Sequence, residues 1–319
     1  MAGLVHNVWG ELEQRLNKTI TQRFPEMTFF NGVDIPTTFD LEPGAQSVSV
    51  DVVTGYGTAG LLGQESSDIP LVQVNLTKDQ FPVVMAVAGY AMGFKSERSY
   101  NFSGKADLIT DRSVLLVRRA IDERLNWFAA YGDPAIGARG FYNNAQVTVD
   151  NNAFNPNTAT YSDWITFVLD QVLGIGTASF GTVVPTDILM SRNAIKRAAM
   201  VTDPQNANVS ALMAIRDRLA AIDGYQNITI RSRPESDASM LTARAVPGIT
   251  PTKDRIVVYR KDPMAQSRQM EASLAELMPE KYVFADPKAN VIYPMFSCAS
   301  ATAVHELNAM KYVDIVAAT

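Results

Sequence analysis

Residues 107–143 read DLITDRSVLLVRRAIDERLNWFAAYGDPAIGARGFYN, and this stretch decides the architecture. Val114, Val117, Ile121, Leu125 and Phe128 recur three or four positions apart, which places them on one stripe of a helix. The helix is predicted from Asp107 to Tyr131, because Gly132 and Pro134 then supply a left-handed stop and a residue that cannot continue it. At 1.5 Å per residue it is about 37 Å long, more than an average globular helix. Arg118 with Asp122, and Arg119 with Glu123, stand four apart and are expected to pair across the outer face. Such an element can act as the spine of the whole chain.

Upstream of the spine the period changes to two. Val48, Val50 and Val52 alternate with Ser47, Ser49 and Asp51, and after Pro70 a second run sets Val72, Val74 and Leu76 against Gln73, Asn75 and Thr77. Two strands are predicted, joined by a tip over Thr54–Ile69 that is far longer than an ordinary hairpin loop and so points to a function or a bound partner. Nearer the N-terminus, Val5, Trp9, Leu12 and Leu16 form a short amphipathic helix. Residues 24–46 carry prolines at 25, 36 and 43 and no period, so this arm needs its own body or a neighbour to dock on.

Downstream, six asparagines crowd the turn-rich stretch between Asn143 and Asn157. Helices are expected at Ser162–Leu173, Arg192–Thr202 and Val209–Ile222, strands at Val183–Met190, Asn227–Arg231 and Arg255–Arg260, and a strand-rich tail from Lys281. Helices and strands mix without a regular βαβ beat, which indicates the α+β class.

The totals exclude several functions. The chain has 319 residues, 47% apolar and 19% charged, a globular composition. The net charge of −5 gives no general affinity for nucleic acid. A single cysteine, Cys298, rules out an intrachain disulfide and a four-cysteine zinc site. His6 and His305 have no partner at ligand spacing, so no metal is expected. The start lacks a secretory signal, and the longest uncharged apolar run, Phe81–Phe94, is too short to span a bilayer. A soluble chain made in a cytoplasm is the expectation. Gly55–Gly60 matches G-x-G-x-x-G after a predicted strand, yet the residues that follow are too few and too polar for the helix that a dinucleotide site needs. A flexible tip is the favoured reading, with no cofactor. Arg112, Arg118, Arg119, Arg124 and Arg139 form the densest basic set; their acidic neighbours favour a solvated ion-pair face over a phosphate-facing one.

A docking arm, a long hairpin, a spine helix, a mixed α+β region and a strand-rich tail, in that order, resemble the Hong Kong 97-type fold of tailed-bacteriophage major capsid proteins, which encapsulins share. Two local runs carry the likeness. LNWFAAYGDPAIG (125–137) with GFYN (140–143) is similar to the family's "YGD…G…GLLN" stretch, and RIVVYRKDP (255–263) to its "Y-x-x-x-P" strand exit. The tail departs from the family where SATA (300–303) stands in place of a glycine pair.

The resemblance implies an N-terminal arm (1–46), an extended loop lying on a neighbour (47–94), a peripheral domain (95–140 and 265–299) and an axial domain (141–264 and 300–319). It implies self-assembly through hexamers and pentamers into an icosahedral head around double-stranded DNA held without sequence specificity. A portal, a scaffold and a decoration or cement protein are the further partners; neither a catalytic residue, a metal nor a membrane is involved. Subunit contacts are expected at Val5, Trp9, Leu12, Leu16, Tyr56, Leu61 and Leu62. Some relatives join neighbours covalently through a lysine near the hairpin tip, whereas residues 54–69 contain none and Lys78 is expected near the base. An uncleaved subunit is expected too, since little helical sequence precedes the hairpin. The alternatives are an encapsulin-type compartment shell and, less favoured, a nucleotide-binding enzyme using Gly55–Gly60.

Overall fold

The computed structural model describes residues 27–42, 44–56, 73–93, 106–244, 252–261, 268–273, 276–277, 290–304 and 307–319, with 98–99, 102, 246 and 248–249. Chain order begins with β1 (Thr37–Thr38), β2 (Ser47–Tyr56), β3 (Gln73–Gly93) and the spine helix α1 (Ala106–Tyr131). Along α1, Val117, Ile121, Leu125 and Phe128 are buried and Val114 is partly buried. The stripe read from sequence is therefore the core face. It packs on Val84, Ala86, Ala88 and Tyr90 of β3.

The end of α1 is a small folded unit. Gly132 adopts φ +68 and starts a two-residue strand, β4 (Gly132–Asp133), which pairs with β5 (Ala138–Arg139). Side chains at Gly132 and Gly140 would run into the facing backbone, so both positions need glycine. Asp133 caps the short turn between the strands by accepting from the Ala135 amide at 3.0 Å. Asn143 clamps the two sides, accepting from Gly140 N at 2.6 Å and donating to Tyr131 O at 2.8 Å. Outside this unit, Arg124 of α1 reaches Asp133 at 3.7 Å, an ion pair that the four-residue spacing did not anticipate.

Strand β3 is 21 residues long, roughly 70 Å at 3.3 Å per residue. From Gln73 to Pro82 it pairs with β2, in register Ser47↔Pro82 to Tyr56↔Gln73. From Val83 to Gly93 it pairs instead with β12 (Asn290–Ser300). The apolar run 81–94, read from sequence only as too short for a membrane, is thus mostly the inner half of a strand. Its period of two is hidden because both faces are apolar: Val84, Ala86 and Ala88 point at α1, while Met85 and Val87 stand 52% and 55% exposed. The ladder also extends past Thr54 to Tyr56, so the tip begins later than expected. Residues 57–72 lie outside the described residues.

The second half of the chain builds a five-stranded mixed sheet in the order β6-β14-β9-β7-β8. These are β6 (Thr148–Asn151), β7 (Asp187–Met190), β8 (Thr229–Ser232), β9 (Lys253–Tyr259) and β14 (Met310–Val316). Ile188, Ile256, Val258, Val313 and Ile315 face a core closed by Trp164, Val168 and Val172 of α2 (Tyr161–Ala178), Ala194 and Ala198 of α3 (Arg192–Met200), and Ile215 and Leu219 of α4 (Ala211–Ala220). Leu189, Val257, Tyr259 and Tyr312 face the other core, shared with α1. The sheet is the wall between two cores, which is why its three central strands, β14, β9 and β7, are buried on both faces and read as largely apolar runs, while the edge strands β6 and β8 stay polar. Helix starts follow capping chemistry: Thr160 and Asp163 form a capping box on α2, and Ser191 and Ser210 cap α3 and α4. Because Ser210 is the cap, α4 starts at Ala211, two residues beyond the expected Val209.

The described part of the arm docks on the chain's own body. Phe29, Phe30 and Ile35 enter the α1 core, and the Asn126 carboxamide accepts from the amides of Phe29 at 2.9 Å and Phe30 at 3.2 Å. Strand β1 then lies parallel to β10 (Arg268–Glu271). Two further short strands, β11 (Glu276–Leu277) and β13 (Ala303–Val304), complete the sheets around β12 and β10. Cys298 is buried in β12.

Candidate subunit interface

The β2–β3 ribbon leaves the body at Pro82, and residues 74–80 are all exposed. Cross-strand partners share a face and alternate along each strand. One face therefore carries Val48 opposite Phe81 and Val50 opposite Asp79; the other carries Leu76, and Val74 opposite Gly55. The even-numbered positions of β3 that sit on α1 farther in, Val84 to Tyr90, fall on the same face as Val74 and Leu76. Between them Lys78, opposite Asp51, and Gln80, bonded to the Ser47 hydroxyl at 2.7 Å, make a polar gap. Beyond that gap Val74 and Leu76 stand 66% and 69% exposed. Apolar surface on a two-stranded ribbon is costly in water and has no core of its own to enter.

A charged knot fixes the arm to the five-stranded sheet. Asp34 is fully buried and receives both Nε and Nη2 of Arg233, at 2.5 and 2.9 Å, and Nη1 of Arg231 at 3.2 Å. Arg231 also meets Asp187 at 3.2 Å and the carbonyl of Val33 at 2.8 Å. The Lys261 ammonium donates to the carbonyls of Gly32 and Val33 at 2.8 and 2.6 Å, and burial draws its pKa below the ordinary lysine value. Tyr259 adds its hydroxyl to the Asp34 carbonyl at 2.7 Å. A buried carboxylate is tolerated when bidentate arginine and hydrogen bonds replace its water, and here every ligand comes from the five-stranded sheet or its exits.

Beside the knot, Glu235 has 7% of its surface exposed, and Oε2 finds no hydrogen-bond partner among the described residues. Burial raises its pKa above the ordinary 4.5, with Arg233 opposing and Asp34 adding to the rise. The folded state therefore binds a proton more tightly than the unfolded chain. Glu235 contributes stability that is complete below pH 4.5 and is lost as pH rises through the elevated value. Glu235→Gln is expected to raise the melting temperature by a few degrees at pH 7 to 8. In a thermal-melt series the gap to the parent chain should shrink toward pH 4.5; a gap that widens on acidification would refute this account.

Of the expected contact residues, Tyr56 ends the described ladder opposite Gln73. Val5, Trp9, Leu12, Leu16, Leu61 and Leu62 lie outside the described residues, as do His6 and His305. Lys78 sits mid-ribbon rather than at the base, four pairs out from Ser47↔Pro82. Gly55, the first glycine of the G-x-G-x-x-G run, is inside an antiparallel ladder opposite Val74. A dinucleotide fingerprint needs a parallel strand leading into a helix, so the nucleotide-enzyme reading loses its basis. Among the described residues no group of acids, histidine and cysteine could hold a metal, and no helix is long and apolar enough to cross a membrane.

The family model for the major capsid protein matches residues 57–316. The chain belongs to the major capsid protein family. No curated protein matches this capsid protein in sequence. Solved structures match it over nearly its whole length. Against the capsid of the Myoviridae phage XM1 the TM-score is 0.73 at 13% identity, over 96% of this chain and 98% of that one. For the capsid of an empty GTA particle it is 0.60 at 13% identity, covering 99% of both chains. For Gordonia phage Cozz it is 0.57 at 13%, covering 99% and 97%. At such identity the likeness is one of fold, and it is the α+β fold of phage capsids that the spine helix and hairpin announced. Sequence reading of this capsid protein missed the Asp34 knot. The available signal was two arginines, 231 and 233, flanking Ser232 at the end of a predicted strand, with a lone aspartate in the arm.

Proposed function

We propose that copies of this chain assemble, as hexamers and pentamers, into the icosahedral head of a tailed phage, and that its work is assembly rather than chemistry. The observation that carries this reading is the outer half of β3. It leaves its own core, crosses a polar gap and presents Val74 and Leu76 on the face that farther in rests on α1. A neighbouring copy supplies the matching surface. In this reading the ribbon of residues 47–94 overlaps that neighbour, 95–140 with 265–299 is the peripheral domain, and 141–264 with 300–319 is the axial one. Tyr56, Leu61 and Leu62 belong to the ribbon's contact, and Val5, Trp9, Leu12 and Leu16 to the arm's. Double-stranded DNA fills the shell without sequence recognition, consistent with a net charge of −5. Portal, scaffold and cement proteins are the further partners, and the chain is made in the host cytoplasm before it enters the virion.

Negative-stain microscopy of the purified protein tests the proposal: closed, uniform shells support it, and a monodisperse small oligomer under all assembly conditions overturns it. A second outcome follows from composition. Residues 54–69 contain no lysine, and Lys78 faces Asp51 in mid-ribbon. No amine is placed to attack a neighbour's carboxamide from the tip. Particles boiled in detergent are expected to run as one monomer band, and a covalent ladder would refute this.

A further inference from the structure

The loop that follows α2 carries an unusual expense. Phe180 adopts φ +52, a left-handed conformation, although a glycine stands next to it at Gly181. Its ring is 96% exposed. The loop is not slack: Phe180 N bonds to Thr177 O at 3.2 Å, and Gly181 N to Gly176 O at 2.7 Å. Ser179 Oγ accepts from Val183 N at 3.1 Å, and Thr182 Oγ1 donates to Ser179 O at 2.6 Å. A strained backbone thus holds a large apolar side chain rigidly in water, where it gains nothing within the subunit.

A receptor for such a ring lies at the same end of the molecule. Val184, Pro185, Thr186, Gly224, Ile228 and Arg260 are among the residues lining a cleft of about 290 Å³. The last turn of α2 abuts this region, since any side chain at Gly176 would strike the Tyr225 hydroxyl. Aliphatic walls and an arginine at the cleft suit an aromatic ring. The chain's own Phe180 does not occupy it, being almost fully exposed.

We infer that Phe180 of one copy inserts into the cleft between residues 184–186 and 224–228 of the next copy around a capsomer. Knob and hole on one chain make a head-to-tail contact, and repetition of such a contact generates a ring. A rigid aromatic in a neighbour's pocket is the usual form of an interface hot spot. The strain at φ +52 then finds its reason, because the ring is presented in its bound position before the copies meet. The inference rests on the shell reading above and adds to it the residues that close the ring.

Two variants test it. Phe180→Gly removes the ring and suits the backbone, so the isolated subunit is expected to melt no lower than the parent. Its yield of closed shells is expected to fall at least about tenfold. The double variant Phe180→Cys with Asn227→Cys also lacks the ring and is expected to close few shells; in the minority that do close, mild oxidation is expected to give a disulfide-linked ladder on a non-reducing gel, and Cys298 is buried and does not compete. Normal shell yield from the glycine variant, or closed particles of the cysteine pair without a ladder, overturns the contact and leaves the shell reading intact. A parent chain that never forms shells overturns both.

Discussion

Replacing Asp314 by alanine is expected to remove about 3–5 kcal/mol of stability, a large share of the roughly 5–15 kcal/mol that holds an ordinary domain together. Asp314 and Arg255 stand directly opposite each other on β14 and β9. Both side chains are 1% exposed, with Arg255 Nε and Nη2 at 2.6 and 2.7 Å from the two carboxylate oxygens. The guanidinium also donates to Tyr142 O at 2.6 Å and Gly248 O at 3.1 Å, and lies 4.7 Å from the centroid of the Tyr312 ring. Alanine at 314 strands that cation in the wall between two cores. Urea unfolding should show the loss, or the variant should accumulate as insoluble protein. Arg255→Met with Asp314→Leu removes both charges and is expected to regain most of the deficit, because an apolar pair of similar volume needs no compensation. If Asp314→Ala unfolds within about 1 kcal/mol of the parent, the pair is not what joins these strands.

The largest effect on function is expected from the ribbon. Val74→Asp with Leu76→Asp puts two charges on exposed positions, so the subunit should keep its circular-dichroism spectrum and melt within the range of ordinary surface changes. Closed shells should disappear. Each copy contributes the same contact, and a loss that is modest per copy is multiplied around the shell. Normal particles from this variant would show that the outer face of β3 is not an interface. The same charges at Ser49 and Gln80, exposed positions in the polar part of the ribbon, serve as the control and are expected to assemble.

How much of this was legible beforehand depended on whether the signal was local. Helix α1 declared itself because one face is core and the other water, so its stripe survives in the sequence. The YGDP turn did so because Gly132, Gly140 and Asn143 are each required by a backbone approach or a clamp. The inner half of β3 did not, since α1 covers one face while Met85 and Val87 leave the other apolar as well. The knot at Asp34 is invisible to any window, its partners lying 197 and 199 residues away in the chain. The Arg255–Asp314 pair left a trace, a charge inside each of two apolar strands, RIVVY and YVDIV, but no rule of spacing says that they face each other. Of the candidate interface, the ribbon's existence was readable; which face of it is apolar needed the register.

A strand that runs unbroken from the body to the outer end of the ribbon also has a mechanical meaning. A pull on the ribbon along its axis slides β3 past β12, and eleven residue pairs from Val83↔Ser300 to Gly93↔Asn290 resist together. Hydrogen bonds loaded in shear share the force, whereas those in a peeled sheet yield singly. Displacement at the outer end therefore reaches α1 as tilt of a stiff beam, with Val84, Ala86, Ala88 and Tyr90 as its bearing surface. Change in the curvature of an assembly of such subunits would be taken up by rocking on that bearing, while the beam itself keeps its length.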